Sequence, residues 1–349
     1  MGLPIYQIFI DKKEYEVLKS DIWSDNFVRA QMLLKGKKIP IRIRYRGGHT
    51  REYPKKSYEI RTPNRTYHFN AEYDDPSMIR NALSFRFFHS IHVPSPDTRH
   101  CVLYINHKNA GVYLQIEGVK TPFFRRRGIP VQSIIYAVND NADFTDKGQS
   151  KKTYFSGYRL IKGKKADRIK LSRFIHNIHV YEGEPLQRYL ERHLDIDNFL
   201  RWLSGAVLTG NYDGFSQNYT LYEHRTRKVY QMLPWDYEGT WGRNCYGKLV
   251  DSNLVKIHGH NKLTEKLLSF RDYRQHYKGL LSHFLDTVFT VQHQLPIVYK
   301  MYKNIADDVY KDPHQKWSQT IFDGEPDTIR RYIENRRRDI ADQLRKLDG

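Results

Sequence analysis

The amino-acid sequence predicts an α+β chain, β-rich in its first part (1–120) and mainly helical in its second (121–349). Two patterns carry that reading. Apolar residues alternate with period 2 through much of the first part, and recur with period 3.6 through most of the second. A third observation is size: 349 residues with 26 Tyr, 17 Phe and 5 Trp suffice for a large core, in one two-lobed unit or two domains.

The elements follow in order. Residues 5–10 read as a short apolar strand, and a polar helical segment runs to about Ser20. Residues 28–34 and 39–46 flank the turn Lys35-Gly36-Lys37-Lys38 and alternate as a hairpin should. The loop Gly47-Gly48-His49-Thr50 comes next, then a strand expected from Lys55 (KKSYEI). Asp75 as N-cap, Pro76 at the first helical position, and Ile79, Leu83 and Phe87 one turn apart predict the main helix of this part. Residues 100–105 and 111–117 form a second hairpin around 106–109, completing a five- or six-stranded layer.

Residues 145–170 carry Lys, Gly and Ser with weak periodicity and read as a mobile surface loop. Asp195 then caps a helix whose Ile196, Phe199, Leu200, Leu203 and Val207 share one face, and Gly210 ends it. Further helices are expected near 262–288, 295–311 and 326–346.

Composition excludes several classes. No run approaches the ~18 apolar residues of a membrane-spanning helix, so no membrane role is expected. The first residues lack the basic, apolar and small-residue succession of a signal peptide. Two cysteines, Cys101 and Cys245, support neither a disulfide framework nor a zinc cluster, which suits a reducing cytosol. The net charge of +19 invites polyanions. Its basic clusters at 125–127, 162–165 and 336–338 are dispersed, and the last is interleaved with Glu334, Asp339 and Asp342. No nucleic-acid-binding motif accompanies them, so nucleic acid is not the expected partner.

The stretch 211–242 carries the chemistry. Asp213 and Asn218 stand in the spacing D-x-x-x-x-N, that of the kinase catalytic loop, where Asp receives a hydroxyl proton and Asn holds Mg²⁺. Residues 218–223 and 228–233 alternate as two strands around a polar turn at 224–227. Asn218 should then lie opposite Leu233, with Asp236 about three residues beyond, within roughly 10 Å at ~3.4 Å per residue. Asp and Asn also cap turns at loop ends. A third oxygen-bearing side chain at one open end distinguishes this case, as a hard cation requires.

A phosphate-binding lysine would come from the β-rich part. In KKSYEI, Lys56 shares a face with Tyr58 and Ile60, and Lys55 shares the other with Ser57 and Glu59, so Lys56 is expected to point inward. Arg46, Gly47 and Gly48 occupy the strand–loop–strand position of a phosphate-covering loop. Arg80 and Glu117 are candidates to orient Lys56 or to contact the ribose. His258-Gly259-His260 lacks the carboxylate or cysteine spacing of a zinc site. A small β lobe followed by a helical lobe that opens on such a hairpin is the layout of a kinase-like fold.

These pieces resemble the CotH family, the atypical protein kinases of bacterial spore coats. The resemblance covers nearly the whole chain. It is densest in YRGGHTREYPKKSYEI, HFNAEYDDPSMIRNALS, GVYLQIEGV, IIYAVNDNADF, LRWLSGAVLTGNYDGFSQNYTLY and LPWDYEGTWGR. It implies an atypical protein-kinase-like fold and an enzyme that uses ATP with Mg²⁺ or Mn²⁺ to phosphorylate serines of low-complexity coat proteins. Asp213 matches the family's catalytic aspartate and Asp236 its metal-binding aspartate, while Asn218 and Lys56 fall in matching blocks. Synthesis in the mother-cell cytoplasm, assembly into the coat and other coat proteins as partners are implied likewise. Two positions depart: relatives commonly read DYDATWG where this chain has Glu238 and Gly239, and Gln217 stands where a His is often found. The competing functions are a nucleotide-binding scaffold without transfer and a metal-dependent phosphodiesterase or nuclease.

Overall fold

The computed structural model describes residues 2–34, 36–148 and 153–346, and the chain divides into two compact units. The first comprises Met1–Ala82, Pro96–Phe123 and Pro296–Pro326. Its strands are β1 (Ile5–Phe9), β2 (Val28–Leu34), β3 (Lys37–Arg46), β4 (Ser57–Arg61), β5 (Thr66–Asn70), β6 (Thr98–Ile105) and β7 (Lys108–Glu117). They close into a barrel in the order β1-β2-β3-β4-β5-β7-β6. Alternation sends Ile41, Ile43 and Tyr45 of β3 and Tyr58 and Ile60 of β4 into a core shared with Phe69, Leu103 and Tyr113.

The closed barrel corrects the expected layer of five or six strands. Closure comes from parallel pairing of β1 with β6, Ile5 opposite Val102 and Ile8 opposite Ile105, between segments remote in sequence. The β6–β7 hairpin turns tightly at Asn106 and His107, both at positive φ (48° and 68°), which suits the right-handed strand twist. The helix expected from Asp75 starts later, at Arg80 (Arg80–Ser90). Asp75 still accepts from the backbone N–H of Ser77 and of Arg80, each at 2.9 Å, but Met78 takes φ 56° and interrupts the helical path.

A buried ion pair secures this unit. Lys55 Nζ donates to Asp312 Oδ2 at 2.7 Å and to the Val112 carbonyl at 2.6 Å, with both charged side chains almost wholly buried. Asp312 Oδ2 also accepts from Val112 N at 2.8 Å. Gly111 permits that approach, because a Cβ there would lie 2.2 Å from Asp312 Oδ1. Burial lowers the Lys55 pKa while Asp312 opposes the shift.

The second unit comprises Leu83–Ser95, Phe124–Leu295 and Asp327–Gly349. Strands β8 (Val131–Ala137), β9 (Tyr158–Lys162), β10 (Tyr219–His224) and β11 (Tyr230–Pro234) form an antiparallel sheet in the order β11-β10-β8-β9. Strand β9 and the start of helix Lys165–Val180 occupy ground expected to be a loop. Residues 149–152 of that stretch lie outside the described residues. Helices Lys262–Leu268 and Arg271–Asp286 replace the single helical segment expected at 262–288.

Helix Ile196–Thr209 is the centre of this unit, with nearly every residue buried. Asp195 caps its start by accepting from Asn198 N, and the Asn198 side chain exchanges two hydrogen bonds with the backbone of Met232 in β11. A helix C-terminus leaves carbonyls without intrahelical partners, and here tertiary donors take them. Gly210 N (φ 74°) and Asn211 N bond Ala206 O, and the buried Arg336 guanidinium donates twice to Val207 O at 2.6 and 3.0 Å. The Tyr332 hydroxyl donates to Leu208 O at 3.0 Å, and Trp241 N donates to Thr209 O at 2.8 Å.

Removing one partner of the buried pair, as in Lys55→Ala, is expected to destabilise the chain by about 3–5 kcal/mol, read by urea unfolding. Lys55→Ala with Asp312→Ala should recover part of that loss. Tyr332→Phe leaves Leu208 O without its donor and is expected to cost about 1–3 kcal/mol in the same assay.

Candidate active site

The candidate site begins where helix Ile196–Thr209 ends. Asn211 is buried, and its Oδ1 accepts from Gly214 N at 3.0 Å, drawing residues 213–215 into a 3₁₀ turn. A Cβ on Gly214 would lie 3.0 Å from Asn211 Cγ, so the turn is as tight as the sequence allows. Asp213 is half-buried on this turn and keeps solvent access.

The hairpin register places Asn218 and Asp236 closer than expected. Tyr219 faces Pro234, and the Asn218 carbonyl accepts from Trp235 N at 3.0 Å, so Asn218 lies opposite Trp235 rather than Leu233. Asp236 is the next residue. The difference comes from the turn, where His224 N bonds Val229 O and Lys228 takes φ 59°, moving the hairpin centre beyond Thr226. Asn218 and Asp236 both adopt the left-handed region, φ 60° and 58°. Asn and Asp enter it at lower cost than other non-glycine residues. Both are half-buried at the open end of the hairpin.

Residues 237–248 fold back against the Asp213 turn. Trp241 is fully buried, its indole N–H donating to Ser84 Oγ at 2.9 Å, and Thr240 Oγ1 donates to Tyr237 O at 2.6 Å. Asn244 Oδ1 accepts from Tyr246 N and Lys248 N, both at 3.0 Å, forming a turn with Cys245 near its tip. A Cβ on Gly239 would lie 2.6 Å from Cys245 N, so glycine at this departure from the family pattern makes room for that turn. Cys245 lies near Asp213, and burial, then Asp213, push its pKa up to about 12; Glu238 adds to the shift. Sequence reasoning missed Cys245, which has no motif and reaches Asp213 only through the tertiary fold.

Among the described residues no three His, Cys, Asp or Glu side chains converge as a preformed metal cluster. Asp236 and Asn218 nonetheless suit Mg²⁺, which binds through one or two protein oxygens and takes the rest of its shell from water and phosphate.

The remaining candidates lie in the first unit. Arg46 ends β3 and donates to Asn70 Oδ1. Gly47 takes φ 111°, where a Cβ would lie 2.1 Å from Thr50 Oγ1, and Gly48 faces open space. Arg51 secures this loop, bonding Gly47 O at 2.9 Å, Trp23 O at 2.7 Å and Asp25 Oδ1 at 2.7 Å. The expected inward direction of Lys56 is corrected. Strand β4 starts at Ser57, so its pleat does not reach Lys56, whose Nζ is half-buried and donates to Arg51 O at 2.6 Å. Lys55 is the buried lysine. Arg80 is fully buried between Asp75 and Glu325, 2.6 Å from each. Glu117 is buried at the end of β7 and accepts from Asp97 N at 3.4 Å.

The family described as CotH kinase protein matches residues 43–340. The chain is 38% identical over 354 residues to inner spore coat protein H of Bacillus subtilis (strain 168), covering 98% of each. It is 26% identical over 302 residues to the inner spore coat protein H-like protein of the same organism, covering 84% of this chain and 87% of that one. Among solved structures, the Helicobacter pylori proinflammatory kinase CtkA aligns with 84% of this chain and 95% of its own. The two chains share 12% identity, with a TM-score of 0.36.

Because Asp213 raises the Cys245 pKa, Asp213→Asn is expected to make the thiol more acidic and speed its alkylation. About tenfold faster labelling by iodoacetamide at pH 8.5 corresponds to one pKa unit. An unchanged rate would contradict the Cys245–Asp213 contact.

Proposed function

The chain belongs to the CotH kinase protein family, and on that premise we propose that it is a spore-coat protein serine kinase that transfers the γ-phosphate of ATP to serines of low-complexity coat proteins. The observation that carries the reading is the hairpin end where Asn218 and Asp236, both left-handed, stand one residue out of register and just after the Asp213 turn. The same reading takes the barrel as the nucleotide lobe and the second unit as the catalytic lobe of an atypical protein-kinase-like fold. Coat proteins are its substrates and partners, and the chain is made in the mother-cell cytoplasm before joining the coat. Among the described residues no helix is long and apolar enough to cross a membrane.

The residues divide the work. Bound Mg²⁺ or Mn²⁺ supplies charge neutralisation on the ATP phosphates. Asp236 and Asn218 offer it hard oxygen ligands. Asp213 orients the serine hydroxyl and accepts its proton at a carboxylate oxygen, and the Cys245 thiol, whose pKa is raised by burial and by Asp213, lies beside it. Lys56 and Arg46 contribute positive charge to the phosphates, and Gly47 and Gly48 allow the backbone to approach them. Arg80 and Glu117 are the candidates to orient Lys56 or to contact the ribose. Catalysis of this kind is mostly positioning and electrostatics.

The expected outcome is divalent-metal-dependent transfer of radiolabelled γ-phosphate to protein serine. Asp213→Asn and Asp236→Asn should each lower it by at least about 100-fold while thermal melting stays close to wild type. Undiminished labelling by both variants would sink the site assignment. ATP binding without transfer would indicate a scaffold, and wild-type cleavage of DNA or RNA, lost in Asp236→Asn, a nuclease.

A further inference from the structure

The segment His258-Gly259-His260 makes a poor zinc motif, yet it packs directly on the Asp213 turn. The His260 ring centroid lies 4.6 Å from that of Tyr212 and 4.4 Å from that of Phe215, the residues bracketing Asp213 and Gly214. Gly259 takes φ 62°, and a Cβ there would lie 2.4 Å from Phe215 Cε1, so the segment approaches as closely as glycine permits. Asn261 Nδ2 donates to Phe215 O at 3.2 Å, while its Oδ1 accepts from Thr264 N at 2.8 Å and Thr264 Oγ1 at 2.9 Å. One residue therefore starts helix Lys262–Leu268 and holds the far end of the turn.

A 3₁₀ turn of three residues has little stability of its own. Asn211 braces it on Gly214 N, Trp202 packs against Phe215 with centroids 6.0 Å apart, and Cys245 meets the Asp213 carboxylate. His260 bridges its two aromatic ends. Burial lowers the His260 pKa, with Asp213 raising it and His258 lowering it, which favours the neutral ring. A neutral, flat ring stacks without placing a second charge beside Asp213.

We propose that His260 is a positioning residue for Asp213, its ring fixing the 213–215 turn so that the carboxylate is presented to the acceptor hydroxyl. The assignment rests on the kinase reading of Asp213. A displacement of about 1 Å at a reacting group can cost about 100-fold in rate, so the ring should act on kcat rather than on nucleotide binding.

The test compares wild type, His260→Ala and His260→Phe in steady-state phosphoryl transfer, with melting followed in parallel. His260→Ala is expected to lower kcat by about 10- to 100-fold with KM for Mg–ATP within about twofold, and His260→Phe, which keeps the stack, to return within about threefold of wild type. Wild-type kcat in His260→Ala, a loss confined to KM, or a Phe variant no better than Ala would each overturn the proposal. If His260→Ala does not fold, His260→Leu replaces it, filling the space without a flat ring. Cys245 provides a readout independent of transfer, because the only other cysteine, Cys101, is fully buried. Iodoacetamide should label Cys245 about tenfold faster at pH 8.5 in His260→Ala, as the carboxylate moves away, and near the wild-type rate in His260→Phe. Equal rates in all three chains would overturn the positioning role, whereas absent transfer with the expected labelling would defeat only the kinase reading.

Discussion

The C-terminus of helix Ile196–Thr209 is the constraint on which the candidate site depends. Four successive carbonyls there, of Ala206, Val207, Leu208 and Thr209, are met by donors from Gly210 and Asn211, Arg336, Tyr332 and Trp241. Unpaired in a buried setting, each would carry a desolvation cost of about 1–3 kcal/mol. Satisfying them fixes two things together. The chain leaving the helix at Gly210 runs straight into the Asp213 turn, and Trp241, tied to Thr209, fixes the segment that follows Asp236.

The first unit relies on a different device. Its barrel closes through β1 and β6, and Lys55 joins β7 to residue 312 through a charge pair out of water. A buried pair is not in itself a large source of stability, but breaking one half is costly. It therefore commits Gly111, Val112 and Asp312 to one arrangement. Arg80, flanked by Asp75 and Glu325, repeats that logic in the same unit.

Much of this was legible in the sequence, with errors of a consistent kind. The Asp195 cap and Gly210 stop of the central helix follow from local chemistry and recur in the structure. Asn218 and Asp236 share a hairpin end as alternation implied, but turn residues alone did not reveal the left-handed Lys228 that shifts the register. Parity misdirected Lys56 because a pleat argument holds only inside a strand, and β4 begins after it. Met78 delayed a helix whose cap was read correctly. Strand β9 went unseen because YRLIK is too short and too polar to stand out before it pairs with β8.

The sequence by itself determined the α+β class, the central helix, the hairpin and the order Asp213, Asn218, Asp236, because these rest on periodicity, caps and spacing within a few residues. Tertiary structure alone decided barrel closure, the choice of Lys55 over Lys56 as the buried cation, and the meeting of Cys245 and His260 with the Asp213 turn. Those contacts join segments far apart in the chain. They are selected by which buried polar groups find partners, and local pattern carries no record of that choice.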